Sequence, residues 1–384
     1  IGIVILVSLL LILLAILGAP LFVIIATSAM VGFQSNDTEL MTIALELMSI
    51  AQMPILTAIP LFTFAGYLLS ESEAPTRLVR LTNALFGWMP GGLALVCLAA
   101  CAFFTAFTGA SGVTIIALGA ILYPALKQDG YGDRFTLGLV TSSGSLGLLF
   151  APSLPLILYG VVAEVSIDDL FRAGILPGLI MLVMLSGYSI WVNRDNRKPV
   201  AAFSLREVGA ALREAIWELP LPIVVLGGIY SGFFAVSEAA AITALYVFIA
   251  EVLINREIAL RDLPRVIRES MVLVGGILMI LGVSLASTYY MIDAEVPQKL
   301  LAFVAGLVSS PLSFLVLLLL FLLVLGAILD IFSAIVLVVP LILPIAAGFG
   351  VNEVHLDPRD PDVVYAVTWQ RLRNVAVLMD GGPE

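Results

Sequence analysis

Two patches of glycine, serine and threonine interrupt the most apolar part of the chain. The first is TGASGVT at residues 108–114, and the second is SSGSLG at residues 142–147. The second patch is followed by Pro152, Ser153 and Pro155. Hydroxyl and carbonyl oxygens are the ligands that hard cations such as Na⁺ prefer. The two patches are therefore candidate cation-binding segments inside an apolar sequence.

A purely structural interpretation of each patch stays open. Small residues let membrane helices approach one another closely, and glycine, serine and threonine are common at such contacts. Two patches, one of them beside paired prolines, favour a binding role. Within the first patch the candidate residues are Gly109, Ser111, Gly112 and Thr114. Around the second patch they are Ser142, Ser143, Gly144, Ser145, Gly147, Pro152 and Ser153.

Catalytic chemistry is not indicated by the sequence. It contains no nucleophile elbow, no Walker-A loop and no cluster of carboxylates suited to a metal-bound diphosphate, so neither an enzyme nor an ATP-driven pump is expected. The single histidine, His355, excludes a histidine-rich metal site. Cys97 and Cys101 are interpreted as small apolar residues. No cofactor is expected other than a coupling ion.

The composition indicates that these patches belong to a membrane protein. The chain is 61% hydrophobic and 12% charged, with a mean hydropathy of +1.12. Many apolar runs reach the roughly 18–20 residues that a helix needs to cross a bilayer. The net charge of −10 argues against a nucleic-acid partner. The fold class predicted is an all-α polytopic membrane protein in a lipid bilayer.

Basic residues concentrate in four linkers, which the positive-inside rule assigns to the cytoplasm. These linkers lie at residues 77–80, 127–134, 194–213 and 256–268. The linkers at 37–46 and 164–169 carry acids instead and are expected outside. The apolar runs that fit this path are 1–33, 54–70, 90–126, 135–162, 171–192, 219–234, 238–254 and 271–289.

Three charged segments beside the spans carry local expectations. Residues 205–219 read LREVGAALREAIWEL, which predicts an amphipathic helix on the membrane surface. Residues 260–269 are expected to form a similar arm. Ser237 is expected to cap the helix that follows, with Glu238 near the positive end of its dipole.

Region 90–126 is too long for one span and must turn around. As one helix it would measure about 55 Å, against a hydrocarbon core of about 30 Å. Both ends are predicted to be cytoplasmic, and its second arm, 113–126, would reach only about 21 Å. A re-entrant hairpin with its tip at GASG satisfies both constraints. Exposed backbone at that depth is tolerated only where protein or water satisfies it.

Region 135–162 is predicted to be a broken helix. Pro152 and Pro155 lack the N–H groups that an interior helical turn uses, and four small polar residues precede them. Unwound carbonyls in mid-membrane suit dehydrated cations, and half-helix N-termini suit anionic groups. The cation site proposed from these oxygens comprises Ser111, Thr114, Ser143 and Ser145.

An offset of 220 residues indicates an inverted-topology repeat. Pro124 and Gly130 recur in spacing as Pro344 and Gly350, and spans at matching positions cross in opposite directions. The organisation predicted is a first repeat at 1–192, a cytoplasmic amphipathic linker and connecting helix at 193–237, an incomplete second repeat at 238–351 and a polar tail at 352–384. The second repeat contains a hairpin at 313–347 that enters from outside.

The tip of this second hairpin carries Asp330, the acid that looks most buried from the sequence. An intramembrane carboxylate is costly and is a functional candidate by default. It is expected to ligate a cation, to take a proton, or only to cap backbone N–H groups. Gly326 and Ser333 accompany it as candidates.

Several blocks, in this order, resemble the large membrane subunit of tripartite ATP-independent periplasmic (TRAP) transporters. They are FTGASGVTIIALGAILYPALKQDGY, SSGSLGLLFAPSLPLILYG, VSIDDLFRAGILPGLI, GFFAVSEAAAITALY and GAILDIFSAIVLVVPLILPI. The resemblance covers about residues 1 to 351. It implies a multi-pass protein of the bacterial inner membrane, with an elevator-type, ion-transporter-like fold.

The resemblance also implies a function and partners. Members import organic acids, such as C4-dicarboxylates, sialic acid or keto acids, using Na⁺ gradients. The substrate comes from a periplasmic binding protein, and a small four-helix membrane subunit completes the carrier. The family's sites lie where hairpin tips face broken helices. Carried over, this places the first patch opposite the second, and Gly326, Asp330 and Ser333 in the second hairpin.

The sequence departs from this family at its C-terminal end. The offset predicts a second broken helix at 355–382, but that segment reads HLDPRDPDVVYAVTWQRLRNVAVLMDGG, which is too charged for a span. The second hairpin therefore lacks its expected facing loop. Two alternatives follow: a stand-alone Na⁺/dicarboxylate-type symporter, or a degenerate subunit that does not transport.

Overall fold

The computed structural model describes residues 9–11, 13–35, 41–89, 91–194, 203–308 and 310–349. These residues form helices and short connections, with no strand among them. The first helices are α1 (Leu21–Ser35), α2 (Met41–Ala51), α3 (Ala58–Glu71), α4 (Ala74–Phe86), α5 (Gly92–Thr108), α6 (Ser111–Gln128), α7 (Asp133–Leu146) and α8 (Leu154–Ala163). The later ones are α9 (Ile167–Val192), α10 (Leu205–Glu214), α11 (Pro220–Tyr230), α12 (Val236–Phe248), α13 (Leu263–Asp293), α14 (Val296–Leu307), α15 (Pro311–Ile328) and α16 (Ile331–Gly348).

Six helices in the described residues are long and apolar enough to cross a membrane, or up to eight if two bent pairs each count as one span. This confirms the prediction of an all-α polytopic membrane protein. The inverted repeats and the elevator motion stay predictions.

Contacts divide the chain into two compact units. One comprises Pro54–Ile157 and Ile167–Val274, and the other comprises Ile1–Met53, Leu158–Ser166 and Gly275–Glu384. The core of the first unit is built around α5, whose residues are nearly all buried. This burial fits its sequence, because α5 has no charged residue on any face.

Region 90–126 forms a helical hairpin. Helix α5 ends at Gly109, which has a left-handed φ of +63°, and α6 begins two residues later. Near the turn, Thr105 contacts Thr114. At the other end, a Cβ atom on Gly91 would lie 4.0 Å from the Tyr131 hydroxyl oxygen. Because contacts join residues before and after the turn at both ends, the arms are antiparallel, as predicted, although their depth in a membrane stays a prediction.

Region 135–162 is a broken helix, as predicted. Helix α7 passes into a 3₁₀ turn at Gly147–Leu149, and α8 starts after an extended stretch, with a bend of 49° between the two parts. Pro155 lies in the first turn of α8, where a missing N–H leaves no helical hydrogen bond unmade.

Region 313–347 also forms two consecutive helices, α15 and α16, joined at Leu329 and Asp330. Far from this turn, the rings of Phe314 and Phe349 stack with their centroids 4.7 Å apart. The arms are therefore again antiparallel. The predicted twin of the broken helix at 355–382 lies outside the described residues.

The run 1–33 contains a break, because Gly18 adopts a φ of +83° ahead of Pro20 and α1 starts at Leu21. The segment 260–269 leads directly into a span, because α13 begins at Leu263 and continues to Asp293. One expectation about local structure was wrong. Ser237 does not cap α12. Ala235 occupies the N-cap position and its N–H donates to Glu238 Oε2 over 3.0 Å, so only the role of Glu238 near the helix start is confirmed.

The amphipathic segment 205–219 is helical over Leu205–Glu214, and the hydroxyl of Ser204 caps it by accepting from the Glu207 N–H. Arg80 on α4 pairs with Glu207 and Glu214 of this helix. Arg265 on α13 pairs with Glu71 at 2.6 Å. These pairs join linkers that were predicted to share the cytoplasmic side. Because their side chains are about one third to one half exposed, water screens these pairs and they add little to stability.

Candidate functional site

The tip of the first hairpin is pressed against the start of α8. A Cβ atom on Gly109 would lie 2.3 Å from Leu154 Cγ, closer than any real contact. The positive φ at this position also disfavours residues with a side chain. Glycine is therefore required here both for the turn and for the contact with the broken helix.

Three buried threonines connect the hairpin to α7. Thr105 Oγ1 lies 2.9 Å from Thr114 Oγ1 and 3.0 Å from the carbonyl oxygen of Gly144. Thr108 Oγ1 lies 3.1 Å from Thr114 Oγ1. All three side chains are fully buried. A hydroxyl has one proton and two lone pairs, so this group retains lone pairs that could bind a cation.

The glycines of the second patch permit close packing. A Cβ on Gly147 would lie 2.4 Å from the carbonyl oxygen of Ala102, so the backbones of α5 and the 3₁₀ turn touch there. A Cβ on Gly144 would lie 2.4 Å from Ile115 Cγ1, so this glycine packs equally closely against α6. For these two residues the packing interpretation describes what the structure shows.

The predicted serine ligands face different surroundings. Ser143 is buried, lies 3.5 Å from Cys97 Sγ and donates to the Val140 carbonyl. Ser145 and Ser142 are exposed, and Ser142 donates back to Gly138. Ser111 is half-buried. The structure therefore links Thr114 to the broken helix through Thr105. Of the two predicted serine ligands on that helix, only Ser143 is buried.

The break itself contains a hydroxyl without a partner. Ser153 is fully buried beside Pro152, and its Oγ has no hydrogen-bond partner within the described part of the chain. A buried polar group left unpaired costs about 1–3 kcal/mol. Such a group is the kind that a bound ion or substrate satisfies. Gly112, at the start of α6, is exposed with open space beside it.

The tip of the second hairpin is capped by its own carboxylate. Asp330 accepts from the N–H groups of Phe332 and Ser333, at 3.0 and 3.1 Å, and from the Ser333 hydroxyl. Ser333 is buried, but Asp330 is exposed, so the expectation that it is the most buried acid was wrong. Gly326 has open space around it.

The buried acids belong instead to a cluster around Arg77 that sequence reasoning missed. Its guanidinium contacts Glu218, Glu251 and Glu257. These acids lie 141, 174 and 180 residues from Arg77, so no local spacing in the sequence predicts that they contact it. The only hint in the sequence is that all four lie in or beside the basic linkers. No group of three or more metal-ligating side chains is placed to hold a metal ion in the described segments.

The sequence is similar to a known family of membrane transport proteins. Residues 4–357 match the family model for the tripartite ATP-independent periplasmic transporter, DctM component. The chain is 32% identical to the C4-dicarboxylate TRAP transporter large permease protein DctM of Rhodobacter capsulatus over 364 residues, which cover 90% of this chain and 82% of that protein. It is 30% identical to an ectoine/5-hydroxyectoine TRAP transporter large permease protein of Ruegeria pomeroyi, over 89% of this chain and 81% of the relative. It is 33% identical to an isethionate TRAP transporter permease protein of Oleidesulfovibrio alaskensis, over 80% of this chain and 48% of the relative.

Proposed function

The chain belongs to the DctM family of large TRAP transporter permease subunits, and from that premise we propose that it imports small organic anions by Na⁺-coupled alternating access. Family members are multi-pass proteins of the bacterial inner membrane, which fits the apolar helices of this chain. The family is one of membrane transport subunits rather than enzymes.

The observation that carries the proposal is the contact between the first hairpin tip and the broken helix. That contact joins Gly109, which follows the buried Thr108, to Leu154, which follows the unpaired hydroxyl of Ser153. Thr108 in turn contacts Thr114, and Thr114 contacts Thr105. Oxygen ligands of this kind suit a hard cation. Thr114 was among the predicted Na⁺ ligands, and Thr105 and Thr108 extend that set.

The class of substrate is proposed from charge. Lys and Arg are absent from both polar patches, so a bound cation and the positive end of a half-helix would supply the attraction for an anion. The relatives' names refer to C4-dicarboxylate, ectoine and isethionate, so they do not select one substrate. A small organic acid with one or two carboxylates is the proposed cargo.

We also propose that this chain works with two partners. The family operates with a small membrane subunit and a periplasmic binding protein. For this chain, the small subunit would have four helices, and the binding protein would deliver the substrate. In the proposed cycle, the hairpins and the broken helix move together as a transport block against the longer spans.

Reconstitution into liposomes tests the proposal. The full-length protein, its small subunit and its binding protein loaded with a radiolabelled C4-dicarboxylate are combined, and uptake is measured with and without an inward Na⁺ gradient. Uptake that requires both the gradient and the binding protein supports the proposal. Uptake without the binding protein identifies a stand-alone symporter. No uptake of any loaded organic acid, from correctly inserted protein, identifies a subunit that does not transport.

A further inference from the structure

Four charged side chains meet in the first unit. Arg77 lies on α4, Glu218 just before α11, and Glu251 and Glu257 after the end of α12. Arg77 Nε donates to Glu218 Oε1 over 2.6 Å, and Arg77 Nη2 lies 3.3 Å from Glu251 Oε2. Arg77 also pairs with Glu257. Three carboxylates thus share one guanidinium, which leaves a charge of −2 if all are ionised.

This excess charge is withdrawn from water. The exposed fraction of the side chain is 2% for Glu218 and 1% for Glu251, against 14% for Arg77 and 21% for Glu257. An uncompensated buried carboxylate is costly, and such groups take up a proton or a counter-ion instead of remaining charged. Glu218 and Glu251, which share the single cation Arg77, are therefore expected to take up a proton or a counter-ion.

One oxygen of the cluster has no partner at all. Glu218 Oε1 contacts Arg77, so the carboxyl group lies within the cluster, but Oε2 is buried and unpartnered among the described residues. A neutral carboxylic acid is far less costly in this position than an anion. Burial accordingly raises the pKa of Glu218, against the opposing influence of Arg77.

The other two acids are held differently. Burial raises the pKa of Glu257, but the hydrogen bonds from Arg77 and from the N–H of Glu73 outweigh it, and the pKa ends below its ordinary value. Glu251 lies 3.3 Å from the same guanidinium and accepts the Asn255 amide, so its carboxylate has one shared cation and one neutral donor.

The remaining neighbours do not supply a second positive charge. Asn255 donates its amide to Glu251 over 3.3 Å, and the Tyr246 hydroxyl donates to the Trp217 carbonyl. Arg80, one turn along α4, is committed to Glu207 and Glu214. Within the described segments, Arg77 is the only cation within 4.0 Å of the three carboxylates.

The backbone at the end of α12 shows how this arrangement is held. Residues Ile249–Ile254 form a π-helical turn, and Arg256 adopts a left-handed φ of +57°. Wide turns of this kind often occur at functional positions, and a non-glycine residue in this conformation is strained. Together they bring Glu251 and Glu257, six residues apart, to the same guanidinium.

We propose that the Arg77 cluster is a proton-binding site, in which one proton is held among Glu218, Glu251 and Glu257 and fastens α4 to the end of α12. A proton fits better than a metal ion, because the guanidinium already contacts all three carboxylates and would repel a metal cation. The proton belongs to the cluster as a whole rather than to one residue. The site is separate from the hairpin tip and independent of the proposed transport function.

The sign of the expected effect follows from linkage. A folded state that holds a proton more tightly than the unfolded chain loses stability as the pH rises through the pKa of the folded cluster. Thermal unfolding of the purified full-length protein in nanodiscs is measured from about pH 6 to about pH 9. We expect Tm to fall over this range by about 2–4 °C.

Matched variants isolate the cluster. Glu218→Gln and Glu251→Gln each supply a neutral side chain of the same shape, so each is expected to remove most of the fall in Tm and to raise Tm at alkaline pH. Glu207→Gln, at an exposed partner of Arg80, is expected to keep the wild-type dependence on pH. Infrared spectra of the wild type near neutral pH are expected to show the carbonyl stretch of a protonated carboxylic acid. Because either variant already supplies the neutral side chain, this band is expected to be lost in both.

Two results would overturn the proposal. One is a wild-type protein with no protonated-carboxyl band and a Tm that does not fall with rising pH. The other is a stabilisation by Ca²⁺ or Mg²⁺ at fixed pH that disappears in Glu218→Gln, which would identify a metal site. Since the infrared measurement uses the wild type, a failure of either variant to fold leaves the proposal testable.

Discussion

The tip of the α5–α6 hairpin is closed by buried threonine hydroxyls, whereas the tip of the α15–α16 hairpin is closed by an exposed carboxylate. The first tip was predicted from the length of region 90–126, and the second from the offset of 220 residues. Neutral hydroxyls tolerate burial when they bond one another, whereas a carboxylate without a counter-ion does not. The first tip is therefore a buried polar group covered by the start of α8, whereas the second tip is an N-cap of α16.

The largest expected effect concerns the turn residues. Gly109→Ala places a methyl group 2.3 Å from Leu154 at a positive φ, so we expect a loss of about 2–4 kcal/mol in the free energy of unfolding. Gly326→Ala is the control near the other tip, where the added methyl group meets open space and stability is expected to change by less than about 1 kcal/mol. Denaturant unfolding in detergent measures both. Equal losses in the two variants would mean that the tips are covered alike.

The next effect concerns the hydroxyl group of the first tip. Thr105→Val keeps the shape of the side chain but leaves the Gly144 carbonyl without this donor, so we expect a loss of about 1–3 kcal/mol. If the threonines bind the coupling ion, the Na⁺ concentration for half-maximal uptake rises as well. Ser333→Ala, which removes the hydroxyl beside Asp330, is expected to leave that concentration unchanged. A weaker Na⁺ dependence only in Ser333→Ala would reverse the roles assigned to the two tips.

The smallest effect separates a cap from a ligand at Asp330. Asn is as good an N-cap as Asp, so Asp330→Asn is expected to change stability by only a few tenths of a kcal/mol, whereas Asp330→Ala loses about 1 kcal/mol. If Asp330 only caps α16, both variants transport normally once inserted. Abolished Na⁺-driven uptake in Asp330→Asn, with stability intact, would show that its charge binds an ion or a proton.

The sequence predicted those features that depend on local constraints. The hairpin at 90–126 followed from chain length, and the break at 135–162 followed from two prolines that cannot continue a helix. Thr105 was missed because it lies inside an apolar arm, and its role depends on Gly144 across the bundle. The Arg77 cluster was missed for the same reason, since its partners lie far away along the chain. The capping position at Ala235 was missed because serine is the better capping residue by type, although the backbone turns two residues earlier.

The contact between the break and α9 carries a consequence for measuring motion. A Cβ on Gly174 would lie 2.3 Å from the carbonyl oxygen of Leu149, so main chain rests on main chain there, with no flexible side chain between them to absorb a displacement. We therefore expect a movement of the 3₁₀ turn at Leu149 to displace α9 near Gly174. Val183, further along the same helix, is 69% exposed and tolerates a probe. The distance between a spin label at this position and a second label on α4 is expected to report movement of the break. Both labels leave the polar groups near the break unchanged.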